Sequence, residues 1–280
     1  MANKVWFITG TSKGFGRIWA EAALARGDRV AATARNVKTL APLVERYGER
    51  TAAITLDVTD KTAVHAAVSE ARERFGRLDV VVNNAGYGLF GAIEEVNEAQ
   101  AREQIETNLF GALWVTQAAL PILRAQRSGH IIQVSSIGGV NAFPTVGLYH
   151  ASKWGLEGFS QALAAEVAGF GIKVTLVEPS GFATDWSGPS AKRATPLPAY
   201  DGARAAMEAF RSHNVPGDPN ATGPAILKVV DSPDPPLRIF FGSVGLPLMR
   251  AEYAKRIETW GKWNHVSIEA QGNLMQKNAG

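Results

Sequence analysis

Ser136, Tyr149 and Lys153 are residue types that could together move a proton to or from an oxygen atom. Tyr149 and Lys153 stand four apart, and Leu156, Phe159, Leu163 and Val167 continue from them at helical spacing. Residues four apart on a helix lie one above the other, so the phenol and the ammonium share a face. A free phenol, with a pKa of about 10, is a poor acid or base at neutral pH. A neighbouring cation favours the phenolate and lowers that value. The strand and loop before this helix can bring Ser136 alongside. The Y-x-x-x-K spacing alone is a weak signal, so the surrounding elements must decide whether it is a site.

Those elements alternate. Apolar, β-branched runs at 4–10, 29–35, 51–57, 78–84, 129–136, 172–179 and 237–242 are expected strands. Helical patterns separate them at 14–26, 38–47, 60–75, 98–127, 149–169 and 222–231. Strands that are apolar almost throughout, with helices between them, indicate a parallel sheet covered on both faces. The expected architecture is an α/β, doubly wound, Rossmann-type single domain spanning 1–280, with about seven strands. The mixed Gly, Pro and aromatic stretch at 182–222 is expected to form a lid over the sheet edge. The tail at 246–265 carries Met249, Tyr253, Ile257, Trp260 and Trp263 as an apolar stripe, expected to pack within the subunit or against a partner.

Composition narrows the chemistry. The chain has 280 residues, 46% hydrophobic and 20% charged, enough for one large core. It contains no cysteine, which excludes disulfides and thiolate catalysis. The formal charge is +3 with basic residues scattered, so no nucleic-acid surface is expected. The histidines at 65, 130, 150, 213 and 265 lack metal-ligand spacing, and no metal is expected. No run of 18 apolar residues occurs, and MANKVWFITG enters a strand without a signal peptide. A cytoplasmic, soluble protein without membrane contact is the expectation.

TGTSKGFG at 9–16 follows the first strand and opens a helix. Gly10, Gly14 and Gly16, with Ser12, Lys13 and Phe15 between them, suit a turn that brings a pyrophosphate onto helix N-terminal amides. The second strand ends in Arg35, where an NAD site would present an acid. An arginine there, with Lys13 in the loop, suits a 2′-phosphate and points to NADP(H). Asp57 and Val58 close the third strand. Asn83, Asn84, Ala85 and Gly86 close the fourth, at the sheet edge where ligands bind in such folds.

These motifs, with Asn108, Ser136 and YHASK at 149–153, occur in an order that resembles the short-chain dehydrogenase/reductase family. The resemblance covers roughly 4–185 and extends weakly to 242. It implies a catalytic tetrad of Asn108, Ser136, Tyr149 and Lys153. Tyr149 would exchange a proton with the substrate oxygen, and Ser136 would hold that oxygen. Lys153 would lower the phenol pKa and hold the nicotinamide ribose, and Asn108 would bind a water linking Lys153 to solvent. Tyr149 and Lys153 thus also count as cofactor contacts, with Pro179, Gly181 and Thr184 following the sixth strand. Ser180 stands where the family usually has glycine. Ser135 alternates away from the site, and His150 is expected to be structural.

The expected substrate pocket comprises Ser136, Ile137, Val140, Phe143, Tyr149, Phe182 and Trp186, near Tyr87, Leu89 and Phe90. It implies a hydrophobic or aromatic ketone, aldehyde or secondary alcohol. The implied activity is an NADP(H)-dependent oxidoreductase acting as a carbonyl reductase or alcohol dehydrogenase. Two alternatives are a non-catalytic NADP(H)-binding regulator and a 3-oxoacyl-thioester reductase, whose basic rim Lys192 and Arg193 could supply. The resemblance also implies a homodimer or homotetramer pairing through the helices at 98–127 and 149–169.

Overall fold

The computed structural model describes residues 3–272. In chain order its strands are β1 (Val5–Ile8), β2 (Arg29–Ala34), β3 (Thr51–Thr55), β4 (Val80–Asn83), β5 (Leu89–Phe90), β6 (Gly129–Val134), β7 (Ile172–Pro179), β8 (Lys192–Arg193) and β9 (Arg238–Phe241). The helices are α1 (Gly14–Ala25), α2 (Ala41–Tyr47), α3 (Lys61–Phe75), α4 (Glu98–Ile105), α5 (Gly111–Gln126), α6 (Gly147–Val167), α7 (Asp201–Ser212), α8 (Thr222–Asp231) and α9 (Gly245–Gln271).

Seven strands form one sheet in the order β3-β2-β1-β4-β6-β7-β9, every pairing parallel. The apolar runs follow from this. VWFI in β1 is fully buried because helices cover both faces of the sheet. One core layer joins Val5, Phe7, Val81 and Ile131 to α3 and α5 through Val68, Val115 and Leu123. The other joins Trp6, Ile8, Val82 and Ile132 to α1 and α8 through Trp19, Leu24 and Ile226. Each buried indole finds an acceptor: Trp6 Nε1 donates to Asp28 at 2.7 Å and Trp19 Nε1 to Thr222 Oγ1 at 2.9 Å. The strand order reverses between β1 and β4, which opens a crevice above their carboxyl ends.

The region at 98–127 is helical as far as Gln126, as expected, but it is not α-helical throughout. A π turn, Glu106–Phe110, separates α4 from α5 and turns Asn108 into the interior. The stretch at 182–222, the expected lid, contributes a short strand and a helix. β8 pairs in parallel with β5, so Lys192 N donates to Gly88 O at 2.9 Å and Ala194 N to Phe90 O at 2.8 Å. The α7 end of the lid is fixed by Glu95, which accepts from Arg204 at 2.5 Å and from Leu197 N at 2.7 Å.

The apolar stripe of α9 does not pack within the subunit as one face. Met249 is buried, while Tyr253, Ile257, Trp260 and Trp263 are exposed. No helix among the described residues is long and apolar enough to cross a membrane.

Candidate active site

The crevice is built from strand ends. β1 runs into the glycine loop, where Gly10 and Gly14 have φ of +69° and +59°, conformations that side chains with a Cβ rarely adopt. At Gly16 space decides: a Cβ would lie 2.5 Å from Asn84 Nδ2 and 2.5 Å from Gly10 O. Asn84 in turn donates to Thr9 O at 2.9 Å and Gly10 O at 3.0 Å. Thr9 Oγ1 accepts from both Asn84 N and Ala85 N at 3.0 Å. The glycine loop and the β4 end are therefore one hydrogen-bonded unit.

Of the nine α-helices among the described residues only α3 and α4 carry a side-chain N-cap, so it is the place of α1, directly after the glycine loop, that makes its amides available. α3 is capped by Asp60, whose carboxylate accepts from Ala63 N, and α4 by Asn97, which accepts from Gln100 N. α1 has neither a side-chain cap nor an acid in its first turn. Its N-terminal amides thus face the crevice uncapped, as an anion site requires. Arg35 and Ser12 are exposed nearby, while Phe15 packs on Phe182 with ring centroids 5.2 Å apart. Lys13 pairs with the lid residue Asp185 at 3.2 Å. Asp57 accepts from Thr59 N and Thr59 Oγ1, forming a turn, and Val58 is buried against Gly111. These residues fit a dinucleotide: an open backbone cradle, a close Ala85–Gly86 turn and a free cation at the β2 end.

All four expected catalytic residues converge here. A Cβ on Gly86 would lie 3.0 Å from Asn108 Oδ1 and 3.8 Å from Lys153 Nζ, so both side chains meet the β4 turn. Lys153 Nζ donates to Val134 O at 2.7 Å and lies 5.9 Å from the Tyr149 ring centroid. Ser136 caps the short turn Ile137–Gly139 by accepting from Gly138 N at 3.0 Å, and its hydroxyl hydrogen-bonds the Tyr149 phenol. Ser135, by contrast, is buried beneath Gly139.

The electrostatics differ in one respect from the sequence expectation. Burial pushes the Tyr149 phenol up to about 12, and the nearby Ser136 hydroxyl pulls the other way. Burial pushes Lys153 down to about 8, opposed by the charge of Glu157 one turn further along α6. Desolvation therefore dominates, and the buried phenol is harder to ionise than a free one, contrary to the lowering expected from Lys153.

Asn108 is tied to protein atoms. Its Oδ1 accepts from Tyr87 N at 3.1 Å, and its Nδ2 donates to Tyr87 O at 3.0 Å and Ser152 Oγ at 3.2 Å. Gln104 adds a donor to Tyr87 O at 3.1 Å. His150 is structural, as expected, but it also shapes the site. Its Nε2 accepts from Phe143 N at 2.9 Å, so Nδ1 carries the proton and donates to Gly138 O at 2.8 Å. That neutral imidazole clasps the loop behind Ser136. Thr145, just before α6, has φ of +65°, a strained choice for a β-branched residue beside the helix that carries Tyr149 and Lys153. Thr9, Gln104, Ser152 and the clasp of His150 were not found from sequence. Only Thr9, inside the glycine motif, and His150, beside Tyr149, gave any local signal.

The expected substrate residues divide. Trp186 lies edge-on to Tyr149 at 4.9 Å between centroids and to Phe90 at 5.2 Å. Phe143 stacks at 5.6 Å on Phe210 of α7, and Ile137 is half-buried in the Ser136 turn. Two residues go elsewhere. Phe182 joins the α1 packing layer, and Val140 lines a separate groove of about 720 Å³ between α6 and α9. Phe182 packs edge-on against Phe15 of α1, and Val140 is buried beside Trp154 and Met249 along that groove. Pro179 ends β7 and Gly181 O accepts from Gly217 N, while Thr184 Oγ1 accepts from Trp186 N at 3.4 Å within the lid turn.

Residues 4–194 match the short chain dehydrogenase family. An oxidoreductase of Botryotinia fuckeliana, BOA17, is 46% identical over 95% of this chain and 98% of its own length. A short-chain dehydrogenase structure from Streptomyces avermitilis superposes with a TM-score of 0.90 at 38% identity, covering 96% of this chain and 98% of that one. An alcohol dehydrogenase from Thermococcus sibiricus, complexed with 5-hydroxy-NADP, has a TM-score of 0.72 at 27% identity, covering 86% and 97%. Motif order, the parallel sheet and the Tyr149–Lys153 pair at its crevice agree with these likenesses, and the chain belongs to the short-chain dehydrogenase family, as an oxidoreductase.

Proposed function

We propose that the chain is an NADP(H)-dependent carbonyl reductase or secondary alcohol dehydrogenase acting on a hydrophobic or aromatic substrate. The observation that carries this reading is the meeting of Asn108 and Lys153 at the Gly86 turn, with Tyr149 beside Lys153 and Ser136 hydrogen-bonded to Tyr149, next to an uncapped helix N-terminus. Arg35 at the β2 end, where no acid stands, supports the phosphorylated form of the cofactor. When bound, NADP(H) supplies or accepts the hydride.

In the reductive direction Tyr149 gives its hydroxyl proton to the substrate oxygen. Ser136, whose hydroxyl hydrogen-bonds the phenol in the folded chain, turns that proton to the same oxygen and shares the developing charge. Lys153, with a pKa of about 8, is an ammonium at neutral pH and stabilises the phenolate left behind. One of its protons is spent on Val134 O, and the others remain for a ribose hydroxyl. Trp186 and Phe90 wall the site with aromatic surface and exclude water. Assembly as a homodimer or homotetramer belongs to the same proposal, and the exposed aromatic stripe of α9 is an apolar surface that assembly could cover. Light scattering at micromolar concentration tests it, a monomer refuting it.

The test of the activity is NADPH oxidation with a panel of aryl and long-chain aliphatic ketones. Turnover of at least one, with NADPH at least tenfold better than NADH, is expected. NADPH binding without turnover of any carbonyl compound would overturn the reading.

A further inference from the structure

Beyond the aromatic wall of the site stand two arginines from different parts of the lid. Arg193 in β8 and Arg211 in α7 each place the guanidinium carbon 4.9 Å from the ring centroid of Phe90. Phe90 touches Trp186, and Trp186 touches Tyr149, so ring contacts of 5.2 and 4.9 Å link the cations to the catalytic phenol. The neighbouring charges are already matched. Lys192 pairs with Glu103, Lys13 with Asp185, and Arg204 with Glu95 and Asp201.

Among the described residues Arg193 and Arg211 have no such partner. Arg193 donates to the neutral Ser187 O at 2.7 Å, and the nearest acid acting on Arg211 is Glu208 on its own helix. Arg211 is half-buried, and its loss of water and the charge of Arg193 both act against its own charge. Two like charges converging on one ring repel, and cation–π attraction offsets this only in part. An anion would relieve the repulsion and could take up both guanidinium forks.

Resting on the proposed reductase reading, we propose that the substrate carries an anionic group, a carboxylate or a phosphate, at the end remote from its carbonyl. Arg193 and Arg211 hold that group, while the carbonyl sits at Tyr149 and the chain between them lies along Phe90 and Trp186. The two arginines determine specificity and take no part in the chemical step.

The test compares 9-oxodecanoate, its methyl ester and 9-oxodecyl phosphate as substrates with NADPH. The wild type is expected to favour at least one of the anions over the ester by tenfold or more in kcat/KM, chiefly through KM. That preference should shrink at high salt. Whichever anion is preferred identifies the group. Arg193→Gln with Arg211→Gln should lower kcat/KM for the preferred anion by about ten- to a hundredfold. The ester's rate should change far less, and the charge-retaining Arg193→Lys with Arg211→Lys should recover part of the loss. Equal or better turnover of the ester by the wild type would overturn the anion subsite and leave the reductase reading standing. So would a loss shared equally by ester and anion in the glutamine variant. Failure of all three substrates and of the ketone panel would instead remove the parent reading.

Discussion

Replacing Lys153 by Met removes the buried cation beside the Tyr149 phenol, the one such cation among the described residues, while nearly conserving volume. The ammonium lies 5.9 Å from the Tyr149 ring centroid, and both residues are buried, so bulk water screens the interaction little. At an effective dielectric of about 20, unit charges so placed attract by about 3 kcal/mol. This interaction exists only as the phenolate develops, so its loss appears in kcat, at roughly a hundredfold. The assay is ketone reduction at saturating NADPH, with cofactor affinity measured separately by fluorescence. The pH profile gives a second readout. Lys153 loses its proton near pH 8, so the wild-type reduction rate should fall above that pH. Lys153→Met should lie low and lack that break. A variant within threefold of the wild type, or one whose rate still breaks near pH 8, would refute the electrostatic role.

Other expectations follow from the same geometry. Arg35→Ser should weaken NADPH binding by about ten- to a hundredfold while leaving NADH binding nearly unchanged, as read by titration. Gly16→Ala places a methyl 2.5 Å from Asn84 Nδ2 and Gly10 O. It should cost about 1–3 kcal/mol, lower Tm by several degrees and abolish tight NADPH binding. A fully wild-type response from that variant would contradict the packed loop. Glu178 is raised to about 8, first by burial and then by the charge of Glu157, with Arg238 opposing. The folded chain therefore holds a proton that the unfolded chain releases at ordinary carboxylate pH. Stability should fall as pH rises from that range toward 8, and Glu178→Gln should flatten the fall in a Tm-versus-pH series.

Much of this is legible in the sequence. The strands could be read because a sheet buried on both faces leaves uninterrupted apolar runs such as VWFI in β1 and Val80–Val82 in β4. The site could be read because its residues occur at spacings set by single elements, as with Tyr149 and Lys153 on α6. What stayed hidden depends on contacts distant in sequence. The π turn at 106–110 has no local signal. There Asn108 bonds the backbone of Tyr87, 21 residues away. The β5–β8 ladder is two residues long, too short for a periodicity to register. Phe182 and Val140 looked like pocket residues because they follow strand ends, yet α1 and the α6–α9 groove claim them. The arginines beside Phe90 lie 18 residues apart in the sequence and meet only because α7 folds back over the lid.

The most direct measurement is ketone reduction by Tyr149→Phe, paired with its NADPH dissociation constant. The account predicts a fall in kcat of about a thousandfold or more, with NADPH affinity within threefold of the wild type. A Tyr149→Phe enzyme that retained a tenth or more of wild-type turnover would show that another group delivers the proton, and the account would fail.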